Sequence, residues 1–107
     1  MNYAASINDP VERMKAVIAS SVAYLWKSDH AFFEKPLNPV LGETYQAVSP
    51  DGAKIYMEQT CHHPPRSHMY IEGPDKRYVV HGYNEYVVKA YVNSATCEAK
   101  GWRKVIF

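Results

Sequence analysis

Apolar and polar residues alternate along this chain with two periods, one typical of a helix and one typical of strands. Near the N-terminus, five apolar residues recur at spacings of three and four, which puts them on one face of a helix. They are Val11, Met14, Ile18, Val22 and Leu25. Asp9 can cap this helix, Pro10 suits its first turn, and Glu12 completes a capping box. We therefore predict a helix over residues 9–28, preceded by a flexible arm at residues 1–8.

The opposite side of the predicted helix carries small residues instead of charged ones. They are Ala16, Ala19, Ser20 and Ala23. A helix without a charged face is usually packed on more than one side, so we expect this one to lie in a core. The alternative is a helix that faces a membrane.

From residue 42 onwards the pattern changes to strands. Strands at residues 42–49 and 53–60 flank Ser49-Pro50-Asp51-Gly52, which is a hairpin signal. Further strands are expected at residues 67–72, 78–83, 86–92 and 102–107. The predicted fold class is α+β, mostly β: one N-terminal helix followed by an antiparallel meander. Since the chain stops inside a strand, and exposed edge strands are normally covered, we expect it to be cut short.

Charge and cysteine content narrow the function classes. Twelve Lys and Arg residues against eleven Asp and Glu give a net charge of +1, which offers no general attraction for nucleic acid. Any anion must therefore be bound by a local cluster. Cys61 and Cys97 are too few for a disulfide scaffold, which favours reduced thiols in the cytosol. The longest uncharged run, residues 16–26, falls short of the roughly twenty residues that a membrane span needs.

The first segment with candidate chemistry is Lys35-Pro36-Leu37-Asn38-Pro39-Val40-Leu41-Gly42-Glu43. Its prolines fix their own φ angles and hold Lys35 and Asn38 in extended conformations. The segment could thus present an ammonium group and an amide at fixed positions. Considered alone, a rigid turn that enters a strand explains it more simply.

The second segment is Glu58-Gln59-Thr60-Cys61-His62-His63-Pro64-Pro65. Neighbouring residues of a regular strand point to opposite faces, so His62 and His63 can share a ligand only if the strand breaks there. Pro64 supplies such a break. The pair could be structural, could bind an anion, or could bind a metal.

Zinc binding and thiol catalysis are both weakly supported. Cys61, His62, His63 and His68 contain the right atoms for zinc, but three consecutive residues rarely close a tetrahedral site. Cys61 next to a histidine is poor evidence for a catalytic thiol–imidazole pair, because adjacency in sequence does not give the required geometry.

The two segments together resemble the oxysterol-binding-protein-related family of lipid-transfer proteins. The family fingerprint Glu-Gln-Val-Ser-His-His-Pro-Pro is matched by residues 58–65, with Thr60 and Cys61 as the only differences. A second family element, Lys-Pro-x-Asn-Pro-x-x-Gly-Glu, is matched throughout residues 35–43. Similarity covers nearly the whole chain.

The resemblance implies a lipid-binding β-barrel that encloses one lipid, with a basic patch at its mouth. It implies that His62 and His63 bind the headgroup of phosphatidylinositol 4-phosphate, joined by Lys35 and Asn38. It further implies exchange of that lipid against a sterol or phosphatidylserine between membranes. We thus expect a cytoplasmic protein, peripheral at membranes or membrane contact sites, that is not an enzyme and uses no cofactor, metal or nucleic acid.

The family domain is longer than this chain, with further strands and helices after the position that corresponds to Phe107. We therefore expect residues 9–107 to form a partial domain. The alternative is a truncated module that binds a phosphoinositide headgroup without extracting the lipid.

Overall fold

The computed structural model describes residues 1–30 and 36–107, except for the side chains of Leu25 and residues 27–30. Two helices open the chain, α1 at Asn2–Ala5 and α2 at Pro10–His30. Five strands follow, β1 at Thr44–Val48, β2 at Lys54–His62, β3 at Pro65–Glu72, β4 at Val79–Ala90 and β5 at Ala95–Ile106. A short 3₁₀ turn at Pro74–Lys76 joins β3 to β4. The chain divides into two units, residues 1–37 with Phe107 and residues 38–106.

Helix α2 begins where the sequence predicts. The carboxylate of Asp9 accepts hydrogen bonds from the backbone N–H groups of Val11 and Glu12, at 2.9 and 2.8 Å. This confirms Asp9 as the N-cap. Ahead of the cap, where we expected a flexible arm, residues 2–5 form α1.

The apolar stripe of α2 is not covered. Val11, Met14, Ile18 and Val22 are each more than half exposed. The expectation of a helix packed on more than one side therefore stays a prediction. The periodicity marks a face that needs a packing surface.

The strands form one antiparallel sheet in the order β1-β2-β3-β4-β5, which confirms the predicted meander. The sheet is open, since β1 and β5 each pair with a single neighbour among the described residues. The predicted hairpin at residues 49–52 is also confirmed: the N–H of Gly52 donates to the carbonyl of Ser49 at 2.8 Å. Gly52 has φ +86°, a conformation that glycine adopts without strain.

Two strand boundaries differ from the prediction. Two strands were expected, at residues 78–83 and 86–92, but the single strand β4 at Val79–Ala90 covers most of both ranges. Its middle residues Asn84 and Glu85 stay in the ladder, opposite Gly101 and Lys100 of β5. Strand β5 starts at Ala95, seven positions before the predicted start at residue 102.

The buried apolar residues of the sheet unit are few. They are Ala53, Met69, Tyr78 and Val80. Gln59 is buried with them at 2% exposure, and the hydroxyl of Ser67 donates a hydrogen bond to its side-chain carbonyl. A buried amide is costly unless it is hydrogen-bonded, so this contact helps to fix β2 against β3 just before the histidine pair.

Candidate functional site

His62 and His63 lie side by side at the turn between β2 and β3. Their ring centroids are 4.6 Å apart and their planes meet at 61°. His62 is the last residue of β2 and pairs with Pro65, the first residue of β3. The His63–Pro64 peptide bond is cis. Because the turn interrupts the strand alternation, the two rings lie next to each other instead of on opposite faces of the sheet.

A β-bulge at Thr60 sets up this turn. The register between β2 and β3 shifts between Gln59 and Cys61, and a bulge of this kind bends the strand and re-aims the side chains beyond it. The hydroxyl of Thr60 lies 2.7 Å from Nδ1 of His68 on β3, and the thiol of Cys61 donates to the His63 carbonyl at 3.4 Å. Both residues that differ from the family fingerprint thus make local contacts that hold the turn.

The proline-rich segment is tied into a turn of its own. The Glu43 carboxylate accepts a hydrogen bond of 2.9 Å from the N–H of Val40, and the N–H of Glu43 donates to the Val40 carbonyl at 3.0 Å. Gly42 has φ +79°, which favours glycine at this position. The glycine and the glutamate of this segment therefore have structural roles that the spacing alone does not reveal.

Backbone hydrogen bonds join this segment to β2. The N–H of Gly42 donates to the Gln59 carbonyl at 2.8 Å, and the N–H of Gln59 donates to the Glu43 carbonyl at 3.0 Å. Gln59 precedes His62 by three residues, so the segment enters the sheet at the end that carries the histidine pair. Asn38 is exposed in this segment. Lys35, the remaining predicted site residue, lies outside the described residues.

Sequence reasoning missed Arg66, which directly follows the turn. Its guanidinium forms a salt bridge of 2.5 Å with Glu85 on β4, and its Nε donates to the same oxygen at 2.7 Å. This hydrogen bond raises the pKa of Arg66 above its ordinary value. The guanidinium also lies 5.5 Å from the centroid of the Tyr83 ring. Arg66 thus anchors the turn to β4, with Glu85 as its ion-pair partner.

The segment that carries the histidine pair has no acidic residue close to the pair in sequence. Between Glu58 and Glu72 the sequence has no acidic residue, while it has Arg66 and three histidines. Within the described residues, Nδ1 of His62 is buried and has no hydrogen-bond partner. Most buried polar atoms in proteins form a hydrogen bond. The His62 ring lacks the hydrogen bond that usually fixes a structural histidine in a core.

In the described part of the chain, neither a metal-binding cluster nor a groove involves the histidine pair. No group of three or more His, Cys, Asp or Glu side chains there is arranged to hold a metal ion. A shallow groove of about 340 Å³ lies over β1, β2 and β3, and its lining includes neither His62 nor His63. No helix among the described residues has the length and apolarity to cross a membrane.

Comparison with known proteins identifies the family. Residues 1–107 match the profile of the family described as Oxysterol-binding protein. This chain belongs to that family. Human oxysterol-binding protein-related protein 1 is 41% identical over 105 residues, which cover 94% of this chain and 11% of the relative. Oxysterol-binding protein 9 of Dictyostelium discoideum is 40% identical over 83 residues, which cover 78% of this chain and 19% of the relative.

Solved structures agree with the family assignment. The Osh1 ORD domain in complex with ergosterol superimposes with a TM-score of 0.76 at 26% identity, over 97% of this chain and 24% of that one. The same domain in complex with cholesterol gives 0.77 at 28% identity, over the same shares of the two chains. The oxysterol-binding fold is therefore present in part: the chain spans about a quarter or less of these relatives.

Proposed function

We propose that this oxysterol-binding-family chain binds a membrane lipid by its phosphorylated headgroup and takes part in lipid transfer between membranes. Phosphatidylinositol 4-phosphate is the headgroup ligand, and a sterol or phosphatidylserine is the lipid exchanged against it. Residues 9–107 supply part of the lipid-binding domain. The protein is cytoplasmic, touches membranes peripherally and catalyses no covalent reaction. The observation that carries the proposal is the 4.6 Å separation of the His62 and His63 rings.

The ring geometry suits a phosphate. Each protonated imidazole offers two N–H donors, and hydrogen bonds from charged donors to phosphate oxygens are about twice as strong as neutral ones. Two rings at this spacing can donate to different oxygens of one phosphate group. The absence of acidic residues between Glu58 and Glu72 leaves the anion without a nearby repulsive charge on this segment.

Asn38 and Lys35 extend the proposed site. The hydrogen bond from Gly42 to Gln59 joins the Asn38 segment to β2 three residues before His62, and we assign the Asn38 amide to an inositol hydroxyl. Lys35 would add an ammonium group to the same phosphate. Its position is not described, so its part in the proposal is supported by the matching sequence element alone.

The open sheet favours a second candidate for the isolated chain. Enclosing a lipid requires a pocket of several hundred cubic ångströms that buries most of the ligand. A five-stranded sheet with two open edges is a wall of such a pocket. The alternative is therefore a module that recognises the headgroup at the membrane and leaves the lipid in the bilayer.

Vesicle assays distinguish lipid transfer from headgroup recognition without extraction. The 107-residue chain is mixed with vesicles that contain phosphatidylinositol 4-phosphate; bound protein is measured in the pellet and extracted lipid in the supernatant. The double variant H62A/H63A should lose binding and extraction at least about tenfold, which corresponds to about 1.4 kcal/mol. His81→Ala removes a histidine near the start of β4 and is the matched control, expected to behave as wild type.

Each outcome decides between the candidates. Binding with extraction supports lipid transfer, and binding without extraction supports the headgroup module. Sterol uptake should survive in H62A/H63A, since the rings act on the phosphate. If the double variant loses phosphoinositide and sterol together, or unfolds, the pair is structural and the proposal is wrong.

A further inference from the structure

The β4–β5 hairpin projects beyond the rest of the sheet at the histidine end. Arg66, which follows the β2–β3 turn, pairs with Glu85, and β4 continues for five further residues to Ala90. Since β3 begins at Pro65, one position beyond Arg66, four residues of β4 extend past β3, about 14 Å at 3.4 Å per residue. The connecting turn is closed by a hydrogen bond of 2.7 Å from the N–H of Tyr91 to the Ser94 carbonyl.

The projecting hairpin has one apolar and one mixed face. The register places three pairs on the same face: Tyr86 with Ala99, Val88 with Cys97, and Ala90 with Ala95. The intervening pairs, Val87 with Glu98 and Lys89 with Thr96, lie on the other face. Val88 is 63% exposed, Tyr91 60% and Val92 100%.

The outer part of the projection, beyond the pair of Val87 and Glu98, carries charge of one sign. Residues 86–97 contain a single charged side chain, Lys89. Glu98, nearer the base, forms a salt bridge of 3.5 Å with Lys100. The tip therefore combines a fully exposed valine, an exposed tyrosine and one cation, a composition typical of segments that enter the interfacial region of a bilayer.

We propose that Tyr91 and Val92, with Lys89, dock the chain on the phospholipid surface next to the headgroup site. This inference rests on the proposed function, because a lipid-binding site must meet the membrane with its open end first. Within the sheet, the hairpin tip extends furthest on that side. Lys89 complements an anionic bilayer, where each cation near the surface is worth about 1 kcal/mol, or about fivefold in affinity.

Vesicles without phosphoinositide test the docking surface separately from the headgroup site. The 107-residue chain is sedimented with vesicles of phosphatidylcholine and phosphatidylglycerol, an anionic lipid that is not among the proposed ligands. Val92→Asp should weaken binding at least about tenfold, since a valine side chain that enters an apolar phase contributes about 1.5–3 kcal/mol. Val48→Asp is the matched control: Val48 is 70% exposed and ends β1 at the opposite end of the sheet.

H62A/H63A should bind these vesicles as wild type does, because they contain no phosphoinositide. The test of the docking surface therefore still gives a clear result if the headgroup proposal is wrong. A second readout uses Val92→Cys and Val48→Cys in a Cys61→Ser, Cys97→Ser background, each labelled with a polarity-sensitive fluorophore. The label at position 92 should shift to the blue on adding vesicles, and the label at position 48 should not.

Three results would overturn the docking proposal. The first is no binding of the wild-type chain to these vesicles. The second is equal binding by Val92→Asp. The third is a label at position 92 that is already blue-shifted in free protein, which would mean that protein covers the tip; a dependence on protein concentration would then identify a second copy as the cover.

Discussion

The N–H of Gly42 donates a hydrogen bond of 2.8 Å to the carbonyl of Gln59, and this bond joins two segments that lie seventeen residues apart. One segment carries Asn38 and the other carries His62 and His63. The glycine is in the left-handed region at φ +79°, and the glutamine is 2% exposed. The arrangement of the proposed headgroup site thus depends on a backbone contact made by residues that do not themselves touch a ligand.

Substitution of Gly42 should affect stability and headgroup binding together. A side chain at φ +79° costs about 1–2 kcal/mol, although a Cβ at Gly42 meets no atom within 4 Å. Gly42→Ala should therefore lower the free energy of unfolding by about 1 kcal/mol and weaken binding to phosphoinositide vesicles. Gly52→Ala, at φ +86° at the far end of the sheet, should cost similar stability and leave binding unchanged. Equal binding by both variants would count against a positioning role for the Gly42 turn.

Gly73 should tolerate no side chain. A Cβ built there falls 2.5 Å from Cδ1 and 2.8 Å from Cζ of the buried Tyr78 ring. Gly73→Ala should lower the free energy of unfolding by about 3 kcal/mol, which urea denaturation can measure. In a Tyr78→Ala background the clash is gone, so the same substitution should cost much less. If the two costs are the same, the ring is not the cause.

Stability should fall at alkaline pH through Tyr78. Burial raises the pKa of its phenol above the ordinary value of 10.0, and the charge of Asp51 raises it further. The folded state therefore keeps a proton that the unfolded state loses above pH 10, and unfolding becomes easier as pH rises through the folded-state value. Urea titrations from neutral to alkaline pH should show a smaller loss of stability in Tyr78→Phe. An identical pH slope in both proteins would contradict this assignment.

Removal of the Glu85 charge should strengthen headgroup binding. Glu85 holds Arg66 through a salt bridge next to the histidine turn, and its side chain is 12% exposed. Glu85→Gln keeps the shape, removes a negative charge and leaves the guanidinium free to act on an anion. Affinity for phosphoinositide vesicles should rise about threefold. Glu72→Gln makes the same change in charge beside Lys54 at the other end of the sheet, so its affinity should stay at the wild-type level.

The features of the fold that the sequence predicts well depend on local signals. Asp9, Pro10 and Glu12 define the start of α2 within a few residues, and the Ser49–Gly52 turn follows from its own residue types. The break at Pro64 likewise follows from the missing N–H of proline. Each of these features depends on residues that are neighbours in the chain.

The features that could not be predicted from the sequence depend on contacts between residues far apart in the chain. Asn84 and Glu85 look like a turn between two strands, yet their side chains meet Arg103 at 3.4 Å and Arg66 at 2.7 Å, and β4 continues through them. Arg66 and Glu85 are 19 residues apart, as are Asn84 and Arg103. The exposed stripe of α2 is a related case, because periodicity shows which face is apolar but not whether the chain covers it.

The most direct test of the account is to observe the two imidazoles while a soluble headgroup binds. The protein is labelled with ¹⁵N in its histidines, and ring resonances are recorded during titration with a short-chain phosphatidylinositol 4-phosphate, with unphosphorylated phosphatidylinositol of the same chain length as control. We predict that the rings of His62 and His63 shift together along one saturable curve, while His81 stays still. Unchanged resonances of the pair, or equal shifts with the unphosphorylated lipid, would contradict the claim that these rings bind the phosphate.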